Sequence, residues 1–461
     1  MTRATGCSFD VAERVNHERI DALLVGFGLA NRAVATALVG RGHTVVATDD
    51  HPDASVAAAA AESEVELVTK PTTANLIALV ERADIIFPTP GLPDSHPALV
   101  AADAVGVATA GEFDLARAWD SRPLVAVTGT NGKTTVVELC VAALNASGVL
   151  AAAAGNTDVP LVTAIDDEHV EMFVVEASSF RLGHAQRFSP RVGTWVNFAP
   201  DHLDVHRDLA SYEKAKASIW ADLDDDGAAG ANIDDPAVMR NVPSDRSVHT
   251  FGGPGADWRV ETGRLVGPDG DIMAVTDMWR SMPHDVEDAL AAAATVAPVG
   301  ASPAGLATAY REFDMSAHRV QLVGEIDGTR FYDDSKATTP HATVAALRSF
   351  DRVVLIAGGR NKGVSLAAMR EAVDRVQAVV AIGESAPEIV EVFESRREVR
   401  QAADMDEAVA MAVDLASAGS VVLLSPGCAS FDWYRGYGER GDDFTRAVRD
   451  RGGQRAAKGE P

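Results

Sequence analysis

The chain is short of cysteine, of lysine and of long apolar runs, and each shortage narrows what it does. The three cysteines, Cys7, Cys140 and Cys428, lie far apart and match no metal-binding or redox spacing, so a reducing cytoplasm is the expected setting. No apolar stretch approaches the roughly 18–20 residues of a membrane span. The opening MTRATGCSFDVAERVNHERI carries charge throughout and has no apolar core, unlike a signal peptide. Basic residues number 41 against 67 acidic ones, a formal net charge of −26, so nucleic acid is not the expected partner. Any anionic substrate must then be captured by local positive groups working against the overall field. Of those positive groups only seven are lysines (Lys70, Lys133, Lys214, Lys216, Lys336, Lys362 and Lys458), beside thirty-four arginines. A chain that uses arginine for surface charge keeps lysine where arginine chemistry will not serve.

What is present is an α/β pattern of about three domains, the number expected for 461 residues. Strand-like runs alternate with Ala-rich segments of helical period. DALLVGFG, HTVVATDD and ADIIFPTPG mark a first parallel unit; LVAVTGT, MFVVEASS and VGTWVNFAPDH a second; RVVLIAGG, AVVAIG and SVVLLSPG a third. WDSRP reads as a linker and REFDMSAH as a looser boundary, giving domains at 1–120, 121–315 and 316–461. The tail RGGQRAAKGEP is polar and expected to fray.

In the first unit, Gly26 and Gly28 follow a strand and Asp49 lies about twenty residues on, close to a dinucleotide fingerprint. Asn31 stands where its third glycine would be. A bare strand–helix turn, a nicotinamide dinucleotide site and a Rossmann-like cradle for another nucleotide all remain open on this motif.

The second unit speaks more clearly. Gly129-Thr130-Asn131-Gly132-Lys133-Thr134-Thr135 departs from the strict phosphate-loop pattern, with Val127 in place of its first glycine. The physics is kept: two glycines let backbone N–H groups converge on phosphate oxygens, Lys133 adds a compact charge, and Thr134 offers a hydroxyl to Mg²⁺. Glu176 ends the next strand, where a further metal ligand belongs. Asp201-His202-Leu203-Asp204 follows a third strand end. Lys214 and Lys216 fall on an expected helix, ordinarily a solvated face.

The third unit supplies basic loops: His318-Arg319, then Asp334, Lys336 and Thr338 in DDSKATTP, Lys362 in GGRNKG, and the aromatic SPGCASFDWYRGYGERG. Alternation in DSKAT puts Lys336 and Thr338 on one side, suited to gripping a small carboxylate. Two of the seven lysines, Lys336 and Lys362, fall in these loops, and Lys133 in the phosphate loop.

Together GTNGKTT, the strand-end Glu176, DHLD and the lysine of SYEKAK closely resemble the Mur ligase family, over about residues 20–445. EASSF, DDSKAT and SPGCASFD are most similar to its D-glutamate-adding branch. The resemblance implies a Rossmann-like N-terminal domain for a UDP-linked precursor, a P-loop-type central ATPase and a Rossmann-like C-terminal domain for the amino acid. It implies ATP, two Mg²⁺ sites, UDP-N-acetylmuramoyl-L-alanine and D-glutamate, with no membrane partner and a monomeric chain. By the resemblance, Lys133, Glu176, His202 and Lys216 are catalytic. Thr134, Glu176, His202 and a carbamylated Lys216 hold metal. Arg319, Asp334, Asp285 and Asp288 serve ATP beside the 129–135 loop. Leu29, Ala30, Thr89, Gly91, Asn156 and His202 face the precursor, while Lys336, Thr338, Lys362, Ser430, Phe431 and Tyr437 belong to the substrate side of the third unit. Family members often carry His-Asn-x-x-Asn where this chain has His284-Asp285-Val286-Glu287-Asp288. An ionised carboxylate accepts from the adenine amino group but cannot donate to a ring nitrogen. Three other readings need separate tests: an amide ligase of different amino-acid choice, a P-loop motor or switch, and a dehydrogenase that would leave GTNGKTT idle.

Overall fold

The computed structural model describes residues 11–458, with side chains to residue 453; Cys7 lies outside the described residues. The apolar runs become three sheets. In the first, Asp21–Val25 sits between Thr44–Asp49 and Ile85–Pro88, with Glu66–Thr69 and Ala108–Thr109 at the edges, all parallel. In the second, of nine strands, Leu124–Thr128 lies between Val192–Trp195 and Met172–Glu176, and Ala151–Gly155 closes one edge. Its other side runs through Ala228–Asn232, Ser247–Gly252 and Trp258–Glu261 to the antiparallel Arg264–Gly267 and Gly270–Ala274. In the third, Val421–Leu424 lies between Thr329–Asp333 and Val353–Gly358, followed by Val376–Ile382 and Glu398–Gln401. Gln321–Ile326 adds an antiparallel edge to it.

The central strands read as unbroken apolar runs because both of their faces are covered. Leu124–Thr128, Met172–Glu176, Val353–Gly358 and Val421–Leu424 are buried at every position. Within Val353–Gly358, Val353, Leu355 and Ala357 join one apolar core, and Val354 and Ile356 join the core on the opposite face. That split is the two-residue period of a strand made visible.

The described residues divide into two compact units. One holds the first two sheets, in the residues up to Phe198, Val205–Trp279 and Glu287–Phe313. The other holds the third sheet, with Ala199–Asp204, Arg280–Val286 and the residues from Asp314. The expected linker around Asp120 is a tight turn in which Arg122 pairs with the Asp120 carboxylate at 2.6 Å and donates to the carbonyls of Ile165, Asp167 and Val170. The tail corrects the sequence reading. A helix spans Tyr437–Lys458, so the backbone of 451–458 continues a helix that began fourteen residues earlier, while the last three residues of the expected frayed tail lie outside the described residues. Trp258–Ala274 is a second surprise, three short strands whose mixed polar sequences carry little alternation.

Among the described residues eight carboxylates are buried, and the rest lie at or near the surface, so repulsion among surface acids opposes the compact state. Raising KCl from about 0.1 M to about 1 M shortens the screening length from roughly 10 Å to 3 Å. The apparent thermal midpoint is expected to rise by a few degrees over that range. A midpoint that stays flat or falls in KCl would contradict the repulsion argument.

Candidate active site

The loop from Gly129 to Gly132 joins the strand Leu124–Thr128 to the helix Lys133–Ala146. Gly129 has φ +158° and Gly132 φ +83°, backbone values that favour glycine. A Cβ on Gly132 would fall 2.5 Å from Asp288 Oδ1, so this glycine is required for space as well. The arrangement aims a helix N-terminus and its N–H groups at the loop, the standard basis of anion binding. Lys133 Nζ folds back to the carbonyls of Gly129 at 3.0 Å and Thr130 at 3.1 Å, which holds its ammonium at the loop mouth. Thr134 is half-buried and Thr135 buried, so of the two hydroxyls Thr134 is the one within a ligand's reach.

Two neighbouring elements fix that loop. Asn197, just beyond the strand Val192–Trp195, accepts at Oδ1 from the amides of Thr130 at 3.1 Å and Asn131 at 2.9 Å, and its Nδ2 donates to Asn131 O at 3.2 Å. The helix Leu209–Ala217, capped by Asp208, brings Tyr212 and Lys216 from the other side. Tyr212 Oη lies 3.2 Å from Thr130 Oγ1. Lys216, 1 % exposed, donates to Gly129 O at 2.6 Å with its ammonium 4.7 Å from the Tyr212 ring centroid. Sequence pattern alone put Lys216 on a solvated helix face; it is instead the one buried lysine among the described residues.

Glu176 ends the strand next to the loop, paired in register with Val127, and is 3 % exposed. Its Oε1 accepts from Asn156 Nδ2 at 3.1 Å, while Oε2 is buried without a hydrogen-bond partner. A buried carboxylate oxygen left unsatisfied is costly unless a ligand completes it. Oxygen donors from Glu176 and Thr134 suit Mg²⁺, so the residues present fit that ion. No cluster of three His, Cys, Asp or Glu side chains of metal-binding geometry occurs among the described residues.

In the second unit, His202 takes φ +56° and its Nε2 lies 3.1 Å from Asp201 Oδ2, while Asp201 Oδ1 pairs with Lys362 at 2.8 Å. Half-buried Lys336 and Thr338 alternate with buried Ser335, Ala337 and Thr339. Lys336 Nζ lies 5.3 Å from the centroid of Tyr437; Phe431 is exposed and Ser430 buried. The turn is pinned by Arg440, 1 % exposed, which donates to Ser335 Oγ at 2.9 Å, Ser335 O at 2.8 Å and Cys428 O at 3.1 Å. Burial lowers the Arg440 guanidinium to about 10, which still leaves it charged at neutral pH. Burial, with Asp333 alongside, pushes the Asp334 carboxyl up to about 7 against the Ser425 hydroxyl and Arg319. Asp285 is also committed: its Oδ2 and Oδ1 each lie 2.7 Å from Arg280, at Nε and Nη2. Asp288, the other carboxylate of that motif, faces Gly132 in the first unit.

In the first sheet, Asn31 fills the missing-glycine position as a buried clamp, donating to Gly26 O at 2.7 Å and Phe87 O at 3.0 Å. Asp49 accepts from the Phe27 amide at 3.0 Å and the His51 amide at 2.9 Å, so the acid that would read a ribose closes its own loop. Leu29 is exposed, Ala30 buried, and Thr89 and Gly91 half-buried, with Thr89 packed on Gly26.

Two family models match the chain, the Mur ligase middle domain over residues 127–287 and the Mur ligase glutamate ligase domain over 318–428. A UDP-N-acetylmuramoylalanine–D-glutamate ligase of Frankia casuarinae is 38 % identical over 455 residues, 94 % of this chain and 95 % of the relative. The chain belongs to the Mur ligase family. A relative of the same name from Mycolicibacterium vanbaalenii is 36 % identical over 93 % of this chain and 97 % of its own. Among solved structures, MurF from Acinetobacter baumannii (TM-score 0.61, 17 % identity, 94 % of this chain and 92 % of that one) shares the fold. So does a pseudomurein peptide ligase type C from Methanothermus fervidus (TM-score 0.59, 15 % identity, 94 % of this chain and all of that one).

This Mur ligase also uses residues that the sequence reading passed over. Asn197 carries no motif signal beyond its place at a strand end, and Tyr212 and Arg440 lie inside motif segments without a pattern that singles them out. Asn197→Ala removes three hydrogen bonds that shape the phosphate loop, at about 1 kcal/mol each. The expected result is an ATP KM raised roughly tenfold or more together with a thermal midpoint lowered by a few degrees, and wild-type ATP affinity would dismiss the clamp. For Asp334, the sign follows from its raised value: neutral below about 7, anionic above. Activity that needs the anion should climb with pH through that value, and Asp334→Asn should flatten the climb. A climb surviving in the variant would assign it to another group.

Proposed function

We propose that this Mur ligase adds D-glutamate to UDP-N-acetylmuramoyl-L-alanine at the expense of ATP, in the cytoplasm, as a step of peptidoglycan precursor synthesis. The observation that carries the reading is likeness along 94 % of the chain to a relative bearing that activity as its name. The DSKAT turn and the built phosphate loop support it. Among the described residues no helix is long and apolar enough to cross a membrane.

The chemistry is the activation of a carboxylate, which is a poor electrophile. The substrate carboxylate attacks the γ-phosphorus of ATP, the β–γ bridging oxygen leaves with ADP, and an acyl phosphate results. The D-glutamate amine attacks the acyl carbon, loses a proton, and phosphate departs as the amide forms. Lys133 and the N–H groups opening the helix Lys133–Ala146 balance charge on the phosphates. Thr134, Glu176, His202 and carbamylated Lys216 would hold Mg²⁺, which when bound offsets repulsion between ATP and the carboxylate. Carbamylation turns the buried Lys216 ammonium into an anion, and lysine is the residue that can be so modified. Lys336, Thr338, Ser430, Phe431 and Tyr437 orient D-glutamate, Asn156 meets the muramoyl part, and Leu29, Thr89 and Gly91 face the uridine diphosphate end. Arg319, Asp334 and Lys362 serve the nucleotide or the transferred phosphoryl group. The chain acts as a monomer.

The test is phosphate release from ATP with UDP-N-acetylmuramoyl-L-alanine, comparing D-glutamate, L-glutamate and L-alanine. D-glutamate alone should support it, with product heavier by one glutamyl residue; release indifferent to the amino acid would sink the reading. Lys216→Ala should lose activity that added short carboxylates partly restore. No rescue, with an intact fold and no extra mass on Lys216, would remove carbamylation from the account.

A further inference from the structure

The segment Ser316–Val320 is held in an unfavourable backbone. His318 has φ +65° and Val320 φ +47°, and the left-handed region is strained for a β-branched side chain. Such a turn persists only when its surroundings over-determine it. Its flanks are secured by the strand Thr329–Asp333 and the turn that follows: His318 Nδ1 lies 2.6 Å from Asp333 Oδ2, and the Lys336 amide donates to His318 O at 3.1 Å. Its centre is secured differently. Arg280 Nη1 donates to both Arg319 O and Val320 O at 2.9 Å. The same guanidinium is gripped from behind by Asp285, which is 1 % exposed and also accepts from the Met282 amide at 3.1 Å. Between the two strained residues stands Arg319, whose Nε is buried without a hydrogen-bond partner.

We propose that Arg280 and Asp285 are a positioning pair: Asp285 neutralises and aims Arg280, and Arg280 holds the strained turn so that Arg319 stands ready for the nucleotide. Asp285 thus serves a neighbouring side chain rather than the adenine edge, although it occupies the position of a base-reading amide in the family motif. This rests on the nucleotide role given to Arg319 above. The carboxylate has the right chemistry for the one task and the wrong chemistry for the other. It accepts two parallel N–H groups from a guanidinium, the strongest pairing open to it, whereas it can give no hydrogen to a ring nitrogen. Removing one member strands a buried charge; removing both in favour of apolar residues leaves the packing and takes away the grip.

The experiment compares wild type, Arg280→Met, Asp285→Asn and the double variant Arg280→Met/Asp285→Leu. Each is read by thermal midpoint, by kcat and KM for ATP, GTP and D-glutamate, and by affinity for a non-hydrolysable ATP analogue. The single variants should lose stability, and the double variant should regain most of it. The double variant should nevertheless keep a kcat about tenfold or more below wild type, with the D-glutamate KM little changed. Activity that returns with stability would make the pair structural only and overturn the proposal. A shift of about fivefold or more in ATP-over-GTP preference on Asp285→Asn would return Asp285 to base reading and overturn it as well. Should wild type show no amino-acid-dependent turnover, the ligase reading fails by itself. Analogue binding then decides: weakened affinity in the refolded double variant supports the pair, and wild-type affinity dismisses it.

Discussion

The grip on Gly129 is the constraint around which the first unit is organised. A phosphate loop works only if its N–H groups point inward before the ligand arrives, and a glycine-rich segment has no intrinsic reason to hold that shape. Here it is fixed from two directions. Asn197 accepts from the Thr130 and Asn131 amides through its side chain, with its own carbonyl also accepting from Thr130 N at 3.1 Å, and Lys216 reaches Gly129 O from a buried helix face. Both come from segments that follow the strand Val192–Trp195, which pairs directly with the strand feeding the loop. The parallel register is therefore what delivers the clamp, and Glu176 arrives on the opposite neighbour by the same logic.

The second unit solves a related problem with charge. The turn Asp333–Thr339 must show Lys336 and Thr338 while burying the residues between them. Arg440 makes that possible by satisfying Ser335 at both its hydroxyl and its carbonyl and then tying the turn to Cys428 O. A buried arginine loses hydration worth several kcal/mol, so it survives only where every contact is directed. The long helix Tyr437–Lys458 supplies that direction by anchoring Arg440 in its first turns.

Much of this was legible in sequence. Strand runs are buried on both faces, so their composition announces them, and the loop glycines announce positive φ. DSKAT alternation and the strand-end Glu176 followed from the period of two. What was not legible depends on contacts distant along the chain. Lys216 is separated from Gly129 by eighty-seven residues, and no local period says which face of its helix is covered. Asn31 looked like a defect in a dinucleotide fingerprint; its amide takes over a bridging task between Gly26 and Phe87 that a glycine could not perform. The helical tail was missed because polar composition says little about a helix whose inner face carries Phe444, Ala447 and Val448.

The charge balance then takes on a specific meaning. A chain of net −26 must handle ATP, a UDP-linked carboxylate and glutamate, all anions. It does so without a basic surface, by placing single lysines in partly buried loops. Lys133 is half-buried and held at the loop mouth by two carbonyls, and Lys336 is half-buried beside the Tyr437 ring. At low local dielectric one such charge acts far more strongly than several on the surface, and salt screens it less. Six of the eight buried carboxylates (Glu176, Asp201, Asp285, Asp288, Asp333 and Asp334) lie in the same motif segments. Several of these acids are matched to a cation, an amide or an imidazole, so they shape positive groups more than they repel ligands. Surface acidity and anion binding are compatible because they operate in different dielectrics.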